Sequence, residues 1–160
     1  MTRQQILFLE DLAVGDEFHS AEQRLDEAQM IDFARQFDPQ PFHTDSVAAK
    51  DTFFHGLAAS GWYTAAVTMK LLAGSMPLGG GLIGAGCELQ WPRPTRPGDI
   101  LQVVSTILKI VPSRSRPDRA IVTVECLTRN QRADVCQRMV TQLVVMRRSA
   151  HAPTTGPSVP

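Results

Sequence analysis

Apolar residues in this chain change rhythm about half-way along, from helical spacing to strand-like alternation. The first helical stretch has a marked start. Asp26 stands as an N-cap with Gln29 in the capping-box position, and Leu25 and Met30 are placed to staple across it. Ile31, Ala34 and Phe37 follow as an apolar stripe, and Pro39 stops the helix. A second, longer helix is predicted over 56–74. Ala58, Trp62, Ala65, Met69 and Leu72 recur at helical spacing, Lys70 is its sole charge, and Gly74 with Pro77 marks its end. A helix so apolar around its circumference is buried on most sides. It is not read as a membrane span, because Ser60, Thr64, Thr68 and Lys70 interrupt it.

Beyond residue 86 the pattern is β. Strands are expected through Cys87–Trp91, Ile100–Val111, Ala120–Thr128 and Val135–Met146. In the third of these, Val122, Val124 and Cys126 face one way and Ile121, Thr123 and Glu125 the other. Segment 79–86 is glycine-rich but lacks the GK[ST] ending of a phosphate-binding loop, so it reads as a connector. Pro92–Asp99 is a rigid turn, and 112–119 a basic loop. One domain is expected over 1–148, with 149–160 as a disordered tail rich in Pro, Ser, Thr and Gly. A buried helix followed by a run of antiparallel strands gives an α+β fold, one sheet wrapped around one helix. Such a sheet keeps an open edge, and pairing it across a two-fold is a natural remedy, so a homodimer or larger homo-oligomer is expected.

Composition narrows the function classes. Over 160 residues the formal net charge is zero, which argues against a nucleic-acid binder. The charge is unevenly spread: residues 1–90 hold 5 Lys+Arg against 12 Asp+Glu, and residues 91–160 hold 11 against 4. The two halves could pack together, or the basic half could offer charge to an anionic ligand such as a nucleotide-tailed thioester. Arg93, Arg96, Arg114, Arg116 and Arg119 are the candidate phosphate contacts. Cys87, Cys126 and Cys136 have no metal or disulfide spacing, and residues 1–5 lack the apolar core of a signal peptide, which points to the cytoplasm. His43 and His55 lie far apart, and Asp45 and Asp51 lack ligand spacing, so no metal is expected.

The chemistry concentrates in Asp38-Pro39-Gln40-Pro41-Phe42-His43. A carboxylate and an imidazole stand five positions apart on a stiff, non-helical connector set by two prolines. Such a pair can hold a water and move its protons.

This segment resembles the motif of the MaoC-like acyl-CoA dehydratases, or R-specific enoyl-CoA hydratases, which are hot-dog folds. The family pattern is Asp, any residue, Asn, Pro, an apolar residue and His. Asp38, Pro41, Phe42 and His43 keep it in register. Leu12-Ala13-Val14-Gly15-Asp16, His55-Gly56-Leu57 with Ala59-Ser60-Gly61, and Arg96-Pro97-Gly98-Asp99 extend the resemblance over about residues 10–147. Gln40 departs from the family's Asn, and Phe37 stands where a small or acidic residue is common and could narrow the pocket.

The resemblance implies water addition to an enoyl-CoA thioester, or the reverse. Asp38 and His43 would handle the protons, and Gln40 and Phe42 would bind substrate beside them. The thioester oxygen would be held by the backbone N–H of Gly56, expected at the start of the central helix. His55 could be a second polar group or a packed structural histidine. Ser60 could touch substrate or only allow close helix packing. Coenzyme A enters as part of the substrate, and no cofactor is implied. A non-catalytic acyl-binding subunit and a thioesterase on the same fold are the alternatives.

Overall fold

A computed structural model describes residues 5–151. Helix α1 (Glu27–Phe37) starts as its sequence dictates: the Asp26 side chain accepts from the Gln29 N–H, and Leu25 and Met30 are both buried. Its inner face is Met30, Phe33 and Ala34, and Phe37 is 67% exposed, so the expected stripe is displaced by about one position.

Two short strands precede it, β1 (Glu17–His19) and β2 (Gln23–Arg24). After it come a one-turn helix α2 (Pro41–Thr44), a 3-10 turn (Ala48–Asp51) and the central helix α3 (Gly61–Ser75). Four strands follow: β3 (Ile83–Gln90), β4 (Ile100–Pro112), β5 (Arg119–Arg129) and β6 (Val135–Met146). All pair antiparallel in the order β1-β4-β5-β6-β3, with β2 also on β4.

Alternation settles which face packs. Ala120, Val122, Val124 and Cys126 of β5 are fully buried, as are Leu101 and Val103 of β4. They meet Tyr63, Val67, Leu71 and Leu72 of α3, so the sheet closes over one side of that helix in the α+β arrangement expected.

Three expectations are corrected. Helix α3 begins at Gly61 and not at 56, because the backbone before it bonds elsewhere: Ala58 N–H to Phe42 O and Ala59 N–H to Thr95 O. Its buried face is not the expected stripe, for Trp62 and Met69 are more than two-fifths exposed. Strand β3 starts inside the glycine-rich segment, at Ile83, and a register shift falls between Gly84 and Gly86. The chain also continues past 148 as a 3-10 turn, Arg148–His151, and the rest of the expected tail lies outside the described residues.

The acidic and basic halves meet in ion pairs, Arg147 with Glu10 and Arg148 with Asp11. β3 pairs only with β6, and its other edge carries no strand among the described residues.

Candidate active site

Local backbone rules bring Asp38 and His43 together. Asp38 caps the end of α1, its N–H bonding Ala34 O at 2.8 Å. Pro39 forbids a further turn, and the Gln40 N–H folds back onto Asp38 O at 2.7 Å. Pro41 then occupies the first position of α2, where a missing N–H costs nothing. The segment is therefore not wholly non-helical. Its second half makes one helical turn, which points the His43 ring back toward Asp38.

His43 is 6% exposed, and its Nε2 lies 3.4 Å from Asp38 Oδ2. On the other side, Nδ1 sits 2.8 Å from Ala58 O. A carbonyl only accepts, so Nδ1 carries the proton and Nε2 is the atom free to exchange one. The ring is fixed by Phe42, edge-on at 4.5 Å between centroids, and by Phe54 at 5.9 Å.

Gln40 Nε2 donates to Asp38 Oδ1 at 2.6 Å, and Ser60 Oγ donates to Oδ2 at 2.7 Å. Partial burial pushes the Asp38 carboxyl up. The hydrogen bonds from Gln40 and Ser60 and the nearby His43 ring outweigh it and hold the group below its ordinary value. The longer Gln at 40 thus reaches the carboxylate.

The other expected residues sit differently. Ser60, fully buried, is the N-cap of α3: its Oγ accepts from Trp62 N–H while donating to Asp38, so its hydroxyl joins the helix start to the carboxylate. Gly56 lies five positions before α3 and its N–H is donated to Ala49 O, so it is not the unpaired helix-start donor expected. Its φ of +144° is what glycine supplies there. His55, at φ +51°, is exposed, and neither packed nor in the cavity. Phe37 is tilted against Phe33 with ring centroids 5.0 Å apart, and it does not line the cavity beside His43.

A cavity of about 370 Å³ opens beside His43. Its walls are apolar at Phe53, Phe54, Ala59 and Trp91, and polar where Thr64 and Thr95 hydrogen-bond at 2.9 Å. Gly61, the first residue of α3, also lines it, and its N–H has no acceptor among the described residues. Phe53, Phe54, Thr64, Trp91 and Thr95 were hidden in the sequence, since they come from segments about 30 positions apart and carry no motif.

Of the five candidate arginines, Arg93 lines this cavity. Arg96 is committed elsewhere: its guanidinium donates to the carbonyls of Phe54, Gly56 and Leu57 at 2.6, 2.9 and 3.0 Å. Arg119 is held by Asp118.

Comparison with known proteins places this geometry in context. The sequence profile of the MaoC like domain matches residues 11–129. A crystal structure of a MaoC-like dehydratase from Rhodospirillum rubrum is 60% identical, with a TM-score of 0.87 over 89% of this chain and 98% of that one. An uncharacterised Bacillus subtilis protein is 31% identical over 78% of this chain and 88% of its own length. A 3-hydroxybutyryl-CoA dehydratase from Methylorubrum extorquens is 29% identical over 70% of this chain and 71% of its own. An unliganded R-hydratase from Pseudomonas aeruginosa shares the fold, with a TM-score of 0.71 at 23% identity and 96% coverage of both chains.

Proposed function

The chain belongs to the MaoC-like domain family, whose hot-dog fold it shares, and on that premise we propose that it hydrates enoyl-CoA thioesters or dehydrates the matching hydroxyacyl-CoA. The observation that carries the reading is the pairing of Asp38 Oδ2 with His43 Nε2 at 3.4 Å on the edge of a cavity with apolar walls.

A water between them donates one hydrogen to the carboxylate and one to Nε2. As its oxygen bonds the β-carbon, the pair removes one proton and the π electrons move toward the thioester oxygen. The same proton then returns to the α-carbon, so the adduct gains one water and loses nothing. The oxygen's transient charge needs a donor, and the Gly61 N–H at the start of α3 is the available one. Ser60 and Gln40 keep Asp38 ionised and aimed. Coenzyme A is carried as part of the substrate, and Arg93 is the nearest cation for its phosphates.

Two copies joined along β3 form the working unit in this reading. That strand offers an unpaired edge, and Trp62 and Met69 stay exposed on α3. Among the described residues no helix is long and apolar enough to cross a membrane. Three free thiols fit a reducing compartment, so we place the protein in the cytoplasm.

The test is loss of conjugated-thioester absorbance on trans-2-enoyl-CoA substrates, with a free-thiol reagent in parallel. Hydration without thiol release, absent in Asp38→Asn and His43→Ala, is expected. Thiol release would make the protein a thioesterase, and silence in a folded sample would make it a binding subunit. Light scattering reads the dimer.

A further inference from the structure

A neutral imidazole carries one ring proton, and two acceptors compete for that of His43. Ala58 O lies 2.8 Å from Nδ1, and Asp38 Oδ2 lies 3.4 Å from Nε2. The carboxylate is charged, so at equal distance it is the stronger acceptor. Gln40 and Ser60 each occupy one Asp38 oxygen, which weakens its claim but leaves lone pairs free. A proton held on Nε2 would be bonded to Asp38, and Nε2 could then take none from a water. The balance turns on how firmly the Ala58 carbonyl is held.

That carbonyl stands in a segment bonded along its length. The Arg96 guanidinium donates to Phe54 O, Gly56 O and Leu57 O at 2.6, 2.9 and 3.0 Å. Ala58 N–H donates to Phe42 O, and Ala59 N–H to Thr95 O. Arg96 is fixed in its turn. Buried Asp99 accepts from the Arg96 backbone N–H at 2.8 Å and from Gln131 Nε2 at 3.0 Å, and Gly98 at φ +81° closes the turn. Arg96 does not line the cavity, so it reaches the site only through backbone. The Arg96-Pro97-Gly98-Asp99 stretch has no part in the proton chemistry above.

We infer that Arg96 is a positioning residue: by holding the Ala58 carbonyl against Nδ1, it keeps His43 in the tautomer whose Nε2 can accept a proton. The inference deepens the hydratase reading and rests on it for the effect on rate. No proton moves to or from Arg96. Without the guanidinium, three carbonyls beside Ala58 lose their donor and turn toward water. Nδ1 then loses its acceptor, and the ring proton settles on Nε2, facing Asp38.

Long-range ¹H–¹⁵N spectra of the whole labelled protein read ring protonation directly and need no substrate. They are taken at alkaline pH, where an ordinary imidazole is neutral. The His43 signals, among those of four histidines, are identified by their loss in His43→Ala. The wild type should show a protonated Nδ1 and a bare Nε2. Arg96→Met should move the proton to Nε2 in most molecules and lower kcat for crotonyl-CoA about tenfold or more, toward the full cost of a lost general base. Arg96→Lys, the milder change should Arg96→Met not fold, holds fewer of the carbonyls and should move the proton in the same direction to a smaller extent.

A proton that stays on Nδ1 in both variants would overturn the inference, even if kcat falls, because Arg96 would then act through the fold alone. So would a wild type protonated on Nε2, or a shifted proton with kcat unchanged. Absence of crotonyl-CoA hydration in the wild type, beside a proton that still shifts in Arg96→Met, would defeat the hydratase reading and leave the control of the His43 tautomer standing.

Discussion

Residues 38–61 and the sheet of β4–β6 use polar groups in opposite ways. In the sheet, the inner face is Leu101, Val103, Val122, Val124 and Val145, all essentially without exposure, and its buried Thr128 and Gln137 bond to Thr68 of the helix it covers. In 38–61, side-chain polar atoms bond across the chain to aim one pair. Ser60 reaches back 22 positions to Asp38, His43 reaches 15 forward to Ala58 O, and Arg96 gathers three carbonyls from about 40 residues away. The sheet encloses the core, while the connector positions the Asp38–His43 pair. Substitutions should separate the two.

The sharpest separation is expected at the pair itself. Asp38→Asn or His43→Ala should lower kcat by ~10²–10⁴-fold, the usual share of general acid–base catalysis. Thermal melts should move by only a few degrees. A large loss of stability in either variant would erase the distinction.

Leu101→Ala should do the reverse. Truncating this fully buried side chain should lower unfolding free energy by ~2–5 kcal/mol. Measured well below the melting range, its kcat should stay close to that of the wild type.

Arg96 lies between the two regions. Arg96→Met should cost on the order of 3 kcal/mol through lost charge-assisted bonds. It should also lower kcat, since loop 54–57 leads into the carbonyl that orients His43. Arg96→Lys should restore neither, because one ammonium cannot span three carbonyls as a planar fork does. Full rescue by Lys would reduce the residue to a surface charge.

The smallest effect sharpens the comparison most. Ser60→Ala removes the α3 cap, at about 1 kcal/mol, and one hydrogen bond to Asp38. Asp38's pKa is depressed when folded, so its contribution to stability is complete above the ordinary value of 3.8 and disappears as pH falls through the lower one. Without Ser60 the depressed value rises toward 3.8, so the acid-induced loss should be smaller and should be complete at a higher pH. Acid unfolding curves that differ only in height would assign Ser60 to the cap alone.

What could be read from the sequence follows the same division. Alternation in β5 and the cap of α1 are local patterns, and both appear in the structure where spacing put them. The proximity of Asp38 and His43 was legible because two prolines act on their own neighbours. The start of α3 was not. Residues 56–60 are small and apolar enough to continue a helix, and what keeps them out of it is pairing with Phe42 and Thr95, which no window contains. The stripe through Trp62 and Met69 misled for a related reason: α3 is apolar all round, so period alone could not choose its inner face. Gly61 owes its identity to an indole 30 positions later.

That contact has an optical consequence. The chain has two tryptophans, and both stand in it, rings 5.4 Å apart, one of them on the cavity wall. Intrinsic emission and near-ultraviolet dichroism therefore report on one corner of the molecule and are nearly blind to the rest. A ligand entering the cavity should perturb the signal without any label. Melting of the β1 edge should pass unseen, and an unfolding curve followed by fluorescence is a curve for the site.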